Sequence, residues 1–298
     1  MKKILLGAAA LISLNATAQD TYQQVYSLFQ ANCTGSCHST AGNADSLDLY
    51  GGGDASVVYD NLVNVDPANP AALAKGYKQI YPGHPEKSFL LRKCAYAAWD
   101  AYYPIEVAEG NAMPVMEKEE IELIRQWILF GAKETSEVVD TQVLYDYYHG
   151  PGKTRLAAPA PPPEGEGFQL RMGPFFLLPL QEEEFYKKQD VNIPDSIEVT
   201  RLATIFNDES HHFIIYKFPE GTDGGYPAGL RNINDVDGSS LGENELIATW
   251  QDTFAYQLPE NTAFKWGGNQ VLDLNYHCLN YDPDSIIAAE SYINIYTT

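Results

Sequence analysis

The residues of this 298-residue chain best equipped for chemistry are a pair of cysteines and a handful of histidines. Cys33 and Cys37 have three residues between them, and His38 follows at once in the run ANCTGSCHST. Thiols and an imidazole so placed can do three things. The thiols can add to the vinyl groups of a haem while the histidine ligates its iron, although the usual signature has two residues between its cysteines. They can close a small disulfide loop in an oxidising compartment. They can also supply half of a zinc site, but no second cluster of Cys or His falls in the same part of the chain. A haem would need a ligand on its far side. Met113, just ahead of Pro114, is the candidate, because a thioether there raises the reduction potential; Met116 is the alternative. His84 reads as a solvated loop histidine.

Three of the six histidines, His211, His212 and His277, fall in strand-like runs late in the chain. A site built only of imidazoles suits copper or zinc. Neighbours on an ideal strand point to opposite faces. The adjacent pair can therefore share one ion only at a strand start, at a bulge, or through different ring nitrogens. The turn-like Asp208–Glu209–Ser210 just ahead of the pair permits this. The plainer reading makes all three ordinary core or surface histidines, but a buried neutral imidazole needs a partner for each nitrogen. Cys278 should face away from His277 across its strand. Cys94 reads as a buried thiol on an amphipathic helix, and a Cys94–Cys278 bridge stays open.

The elements that would position these groups change character along the chain. Residues 1–18 read as an export leader: Lys2 and Lys3, an apolar run from Ile4 to Leu14, then Ala16-Thr17-Ala18. The run is too short to span a bilayer, so the expected location is periplasmic or secreted, with no stable membrane span. Residues 21–32 have helical spacing, with Val25, Leu28 and Phe29 on one face and Thr21 as the cap. A second helix is expected from about Glu86 to Trp99. The strongest spans 118–130, with Ile121, Ile124 and Ile128 in one row, Glu119 and Glu120 in the first turn, and Gly131 as the stop. Residues 141–167 form a linker rich in Pro and Gly, stiffened by Pro161-Pro162-Pro163. Beyond it, SIEVTRLATIF, HHFIIYKF, QVLDLNYHCL and SYINIYT read as strands. The expected fold class is multidomain: an all-α domain over 19–140, then an all-β antiparallel sandwich over 168–298. A formal net charge of −21 disfavours nucleic acid as a partner.

The helix into CTGSCH, the segment PGHPEKSFLLRK and the segment MPVMEKEEIELIRQWILFGA together resemble the class I cytochrome c domains of exported bacterial proteins. That resemblance implies a covalent haem c on Cys33 and Cys37 with His38 and Met113 as axial ligands. The run SHHFIIYKF and the later LNYHCLNY are similar to the copper type II, ascorbate-dependent monooxygenases, the peptidylglycine and dopamine hydroxylating family. By that resemblance His211, His212 and His277 would hold the first, electron-passing copper. The family's oxygen-activating half, with its His-X-His pair, has no counterpart in these 298 residues. The chain therefore reads as a fragment, or as one that a partner completes.

The expectation is an exported haem–copper oxidoreductase, in which the haem relays electrons to the three-histidine copper. Its partners would be an electron donor or acceptor protein or a small reductant, with a small molecule or peptide as substrate. The rival readings are a non-catalytic electron-transfer or copper-binding module and a haem-containing surface or adhesion protein.

Overall fold

The structure, a computed structural model, describes residues 20–35, 37–39, 47–95, 107–111, 113, 116–235 and 244–298. The leader expected over 1–18 lies outside them.

Among the described residues, ten strands form two antiparallel sheets of five. The first runs β1 (Gly167–Leu177), β10 (Ile287–Thr297), β3 (Ile197–Phe206) and β7 (Ala255–Gln257), with β8 (Phe264–Trp266) also on β3. The second runs β5 (Leu230–Asn232), β2 (Glu182–Asp190), β9 (Val271–Leu279), β4 (Ser210–Lys217) and β6 (Glu245–Trp250). Alternate residues of the long strands turn inward: Met172, Val199, Leu202, Phe213, Ile215, Leu272, Leu274, Tyr276, Ile293 and Ile295 are buried in one core. Each such side chain contributes roughly 1.5–3 kcal/mol of burial.

Among the described residues, six short helices precede the strands: α1 (Thr21–Asn32), α2 (Ala55–Leu62), α3 (Pro70–Ala74), α4 (Phe89–Cys94), α5 (Lys118–Leu129) and α6 (Thr141–His149). The expectation of an all-α cytochrome c-like domain followed by a separate β domain is corrected here. The molecule is mostly β, its two sheets accompanied by helices of only 5 to 12 residues.

The helices also lean on the sheets rather than standing apart. Helix α5 is buried all round from Ile121 to Leu129. Its apolar row meets Tyr22, Val25 and Phe29 of α1, whereas Leu129 belongs to the core of the sandwich. Its polar row, Glu122, Arg125 and Gln126, faces the seam, where Gln126 Nε2 donates to the carbonyl of Pro174 at 2.7 Å. At the same seam Gly83, Gly131 and Gly229 all have positive φ. A Cβ on Gly229 would lie 2.5 Å from the Gly131 nitrogen, so the two backbones close up only because side chains are missing there.

Three local expectations also change. Thr21 does not cap α1; its hydroxyl accepts the Val138 N–H at 3.0 Å, tying the helix to the segment ahead of α6. The helix expected from Glu86 to Trp99 is shorter: a 3₁₀ turn at Pro85–Lys87 leads into α4, and residues 96–99 lie outside the described residues. Residues 141–149 of the expected linker form α6, whose Leu144 and Tyr147 are buried. The rest of the linker is strapped along the sandwich. Lys153 pairs with Glu209 and Asp282, Arg155 with Glu290, and Asn294 donates to the carbonyl of Ala160. No helix among the described residues is long and apolar enough to cross a membrane.

Candidate metal centre

Strands β4 and β9 set the histidines. In their ladder Ser210 pairs with Cys278 and His212 with His277, so two steps on β4 meet one on β9. His211 is the extra residue, a β-bulge, and the bulge brings neighbouring side chains to one face that a regular pleat would separate. The site lies on the outer face of the second sheet. Cys278, next in the chain, turns into the core and is fully buried, as the alternation of the strand requires.

The three rings converge through one kind of atom. Nδ1 of His211 lies 3.2 Å from Nδ1 of His212 and 3.2 Å from Nδ1 of His277. One ligand atom from each of the three residues lies within 4.8 Å of the others. Nitrogens bound at about 2.0 Å to one ion, at near-tetrahedral angles, stand roughly 3.3 Å apart. The spacing therefore matches that of ligands around a single ion.

The far nitrogens decide the tautomers. His277 Nε2 lies 2.7 Å from Glu182 Oε1, and His212 Nε2 lies 3.1 Å from Asn275 Oδ1. Asn275 spends its own N–H groups on Glu184 Oε1 and the Phe185 carbonyl, so its Oδ1 is the acceptor. Each of these two imidazoles thus carries its proton on Nε2 and presents a lone pair at Nδ1. Two lone pairs then face the Nδ1 of His211, which has at most one proton to offer. Three imidazole nitrogens cannot satisfy one another, whereas a cation satisfies all three. Burial, reinforced by the neighbouring His277, lowers the pKa of His212 and keeps its imidazole neutral, the form that binds metal.

Sequence reasoning missed Glu182, Glu184 and Asn275. Glu182 and Glu184 alternate on β2 so that both reach the histidine face, and Glu184 pairs with His277 in the β2–β9 ladder. Asn275 precedes His277 by two and shares its face. The available signal was this two-residue spacing, but it acquires meaning only once β2 is known to lie beside β9.

The cysteine segment sits elsewhere, at the end of α1. Cys33 is half-buried against the helical core, Cys37 is exposed and His38 is buried. His38 Nδ1 lies 3.2 Å from the carbonyl of Leu47, which takes its proton and leaves Nε2 with the lone pair. That donor set, an exposed thiol beside an imidazole oriented by a backbone carbonyl, fits a covalently held haem. Met113 is half-buried, its N–H bonded to the Lys93 carbonyl at 2.6 Å, whereas Met116 is packed into the helical core. His84 is corrected: it is buried, with Nδ1 3.0 Å from Glu86 Oε1 and its ring against Tyr81. No disulfide joins any of the four cysteines in the structure, including the Cys33–Cys37 and Cys94–Cys278 pairs.

No family model matches this chain, and no curated protein matches it.

Proposed function

We propose that this is an exported electron-transfer protein of the oxidoreductase class, with a three-histidine copper centre and a haem attached at the Cys33–His38 segment. The observation that supports it most is the approach of His211 Nδ1 to 3.2 Å from the Nδ1 atoms of both His212 and His277, with the Nε2 atoms of His212 and His277 engaged elsewhere. Imidazole-only shells favour copper or zinc, and copper binds such a set more tightly. Bound there, copper would supply one-electron redox chemistry, and a haem with His38 as axial ligand would supply a second one-electron centre.

The chain's own residues do the holding. Glu182 and Asn275 keep two rings in the tautomer that ligates. The ladder bond pattern at the bulge keeps His211 beside His212. His211 is the exposed member of the set, so the ion would be reached from solvent or by a partner on the open face of the second sheet. The resemblance to the first-copper half of the hydroxylating monooxygenases supports a relay role for this centre, with oxygen activation supplied by other residues than these.

The test is a titration of the full chain with Cu(II), followed by electron paramagnetic resonance. One equivalent should bind with the signal of nitrogen-ligated type II copper and no intense blue band, since no thiolate enters the set. His277→Ala should abolish the stoichiometric site. Copper uptake that survives His277→Ala and His212→Ala would overturn the reading.

A further inference from the structure

The turn between β1 and β2 breaks a rule of local chemistry. Leu178 to Gln181 close with the Gln181 N–H on the Leu178 carbonyl at 3.1 Å, and Pro179 stands second. Leu180 stands third, with a φ of 60°. A proline followed by a positive φ is the type II arrangement, in which glycine or asparagine belongs at the third place. Of the other described non-glycine residues with positive φ, four are asparagines and Ala132 is fully buried. Leu180 is 67% exposed, so no core packing offsets the strain.

A second exposed side chain stands beside it. Tyr281 is 66% exposed, and these two are the most exposed large apolar side chains among the described residues. Their backbones are joined through Asn280, which is fully buried. Its N–H donates to the Gln181 carbonyl at 2.9 Å, and its side-chain amide reaches the carbonyls of Leu178 at 2.9 Å and Ser285 at 2.8 Å. The turn and the loop after β9 are therefore one braced tip, on which Leu178 is also exposed. The tip adjoins the histidines. Glu182, which holds His277, follows Gln181 directly, and Leu279 donates its N–H to the carbonyl of Glu209 in the turn that leads to His211.

Charge says what would cover the tip. Exposed Glu182, Asp208 and Asp284 rim it, while Lys153, which reaches the same end, is already held by Glu209 and Asp282. An apolar knob in an acidic rim is complementary to an apolar patch ringed by lysine or arginine. We propose that Leu178, Leu180 and Tyr281 are the docking surface for a basic redox protein, which would sit over the open side of the three-histidine centre. The choice of a redox partner rests on the electron-transfer reading above; the surface itself needs no metal. Three side chains make a small contact, of the size of transient electron-transfer encounters.

The experiment is calorimetric titration of the full chain, metal-free and copper-loaded, with mitochondrial cytochrome c, a basic protein whose exposed haem edge is ringed by lysines. Binding is expected for both forms, and should weaken about tenfold between about 20 mM and about 200 mM salt. Leu180→Gly should weaken it about tenfold while the melting temperature rises, because glycine relieves the turn. Tyr281→Ser should weaken it similarly, whereas Leu246→Ser, at an exposed leucine of β6, should leave it unchanged. Absence of binding at low salt, equal binding by the wild type and Leu180→Gly, or self-association of the chain through the tip in place of binding would each overturn the proposal. Docking by a chain that takes up no copper would instead count against the electron-transfer reading alone.

Discussion

Glu182 takes the Nε2 proton of His277 at 2.7 Å from the neighbouring strand β2. A carboxylate in that position orients the ring and raises the basicity of the nitrogen facing the ion. Glu182→Ala should therefore weaken Cu(II) binding about tenfold, the lower end of the usual effect because this carboxylate is largely exposed. Glu182→Gln keeps an acceptor and should lose less. Competition against a chelator of known affinity reads both.

The bulge carries a sharper claim. Deleting His211 restores one-to-one pairing between β4 and β9, since it removes the extra residue between Ser210 and His212. His212 and His277 would remain opposite each other, and the second sheet would keep its ladder. Metal binding should fall by more than a hundredfold, with the far-ultraviolet circular dichroism unchanged. Replacing His211 by Ala should have a smaller effect on sheet geometry and a similar effect on binding, because it too removes one of three ligands. A deletion variant that binds copper as tightly as the wild type would show that His211 is not a ligand.

A buried charge cluster at the seam sets the response to acid. Glu290 is enclosed with Arg155, Arg171 and the hydroxyl of Tyr292. Burial alone would raise its carboxyl, but Arg171 and Arg155 outweigh that and hold it below its ordinary value. A carboxylate with a lowered folded-state pKa contributes stability that is present above about 4.5, the unfolded value, and lost as the pH falls through the folded value. Stability measured by urea denaturation should therefore drop between roughly pH 5 and pH 3. Glu290→Gln should flatten that slope and cost about 3–5 kcal/mol at pH 7, since two guanidinium groups lose their buried partner.

The two methionines should separate by what they hold. Met116 is part of the helical core, and Met116→Ala should destabilise the protein by about 2–5 kcal/mol. Met113 is half-buried, and Met113→Ala should leave the melting temperature nearly unchanged. If Met113 is the distal ligand, the same substitution should lower the haem reduction potential, because thioether ligation favours the reduced iron. Potentiometry and thermal melts of the two variants read these effects side by side.

The three histidines were legible in the sequence because imidazoles in strand-like runs are few and chemically specific. Their adjacency called for a strand start, a bulge or different ring nitrogens, and the chain uses the bulge. Their supporting residues were not, because Glu182 reaches His277 only through the β2–β9 pairing, and pairing depends on contacts between distant segments. Helix α5 shows the same limit. Its apolar row was plain, but nothing in the spacing of Glu122, Arg125 and Gln126 marks them for burial. They are buried because the sandwich covers them, Arg125 reaching back to Glu122 and Tyr148 donating to the same carboxylate at 2.9 Å. That second, hidden face is what turns short helices and sheets into a single seam rather than separate modules.

The strap from Gly150 to Glu166 looks, from its prolines, like the place where a protease would divide the molecule. Its side chains argue for a different outcome. Lys153 is held by Glu209 and Asp282, and Arg155 by Glu290, while Gly152 bridges to Ile286 in the backbone. A cut between Ala157 and Pro163 would fall beyond these anchors, so the helical piece would keep its grip on the sandwich after the chain is severed. Nicked protein should elute from a sizing column with the intact form and fall into two bands only on a denaturing gel. The segment behaves as a clasp, and breaking its covalent continuity would not undo it.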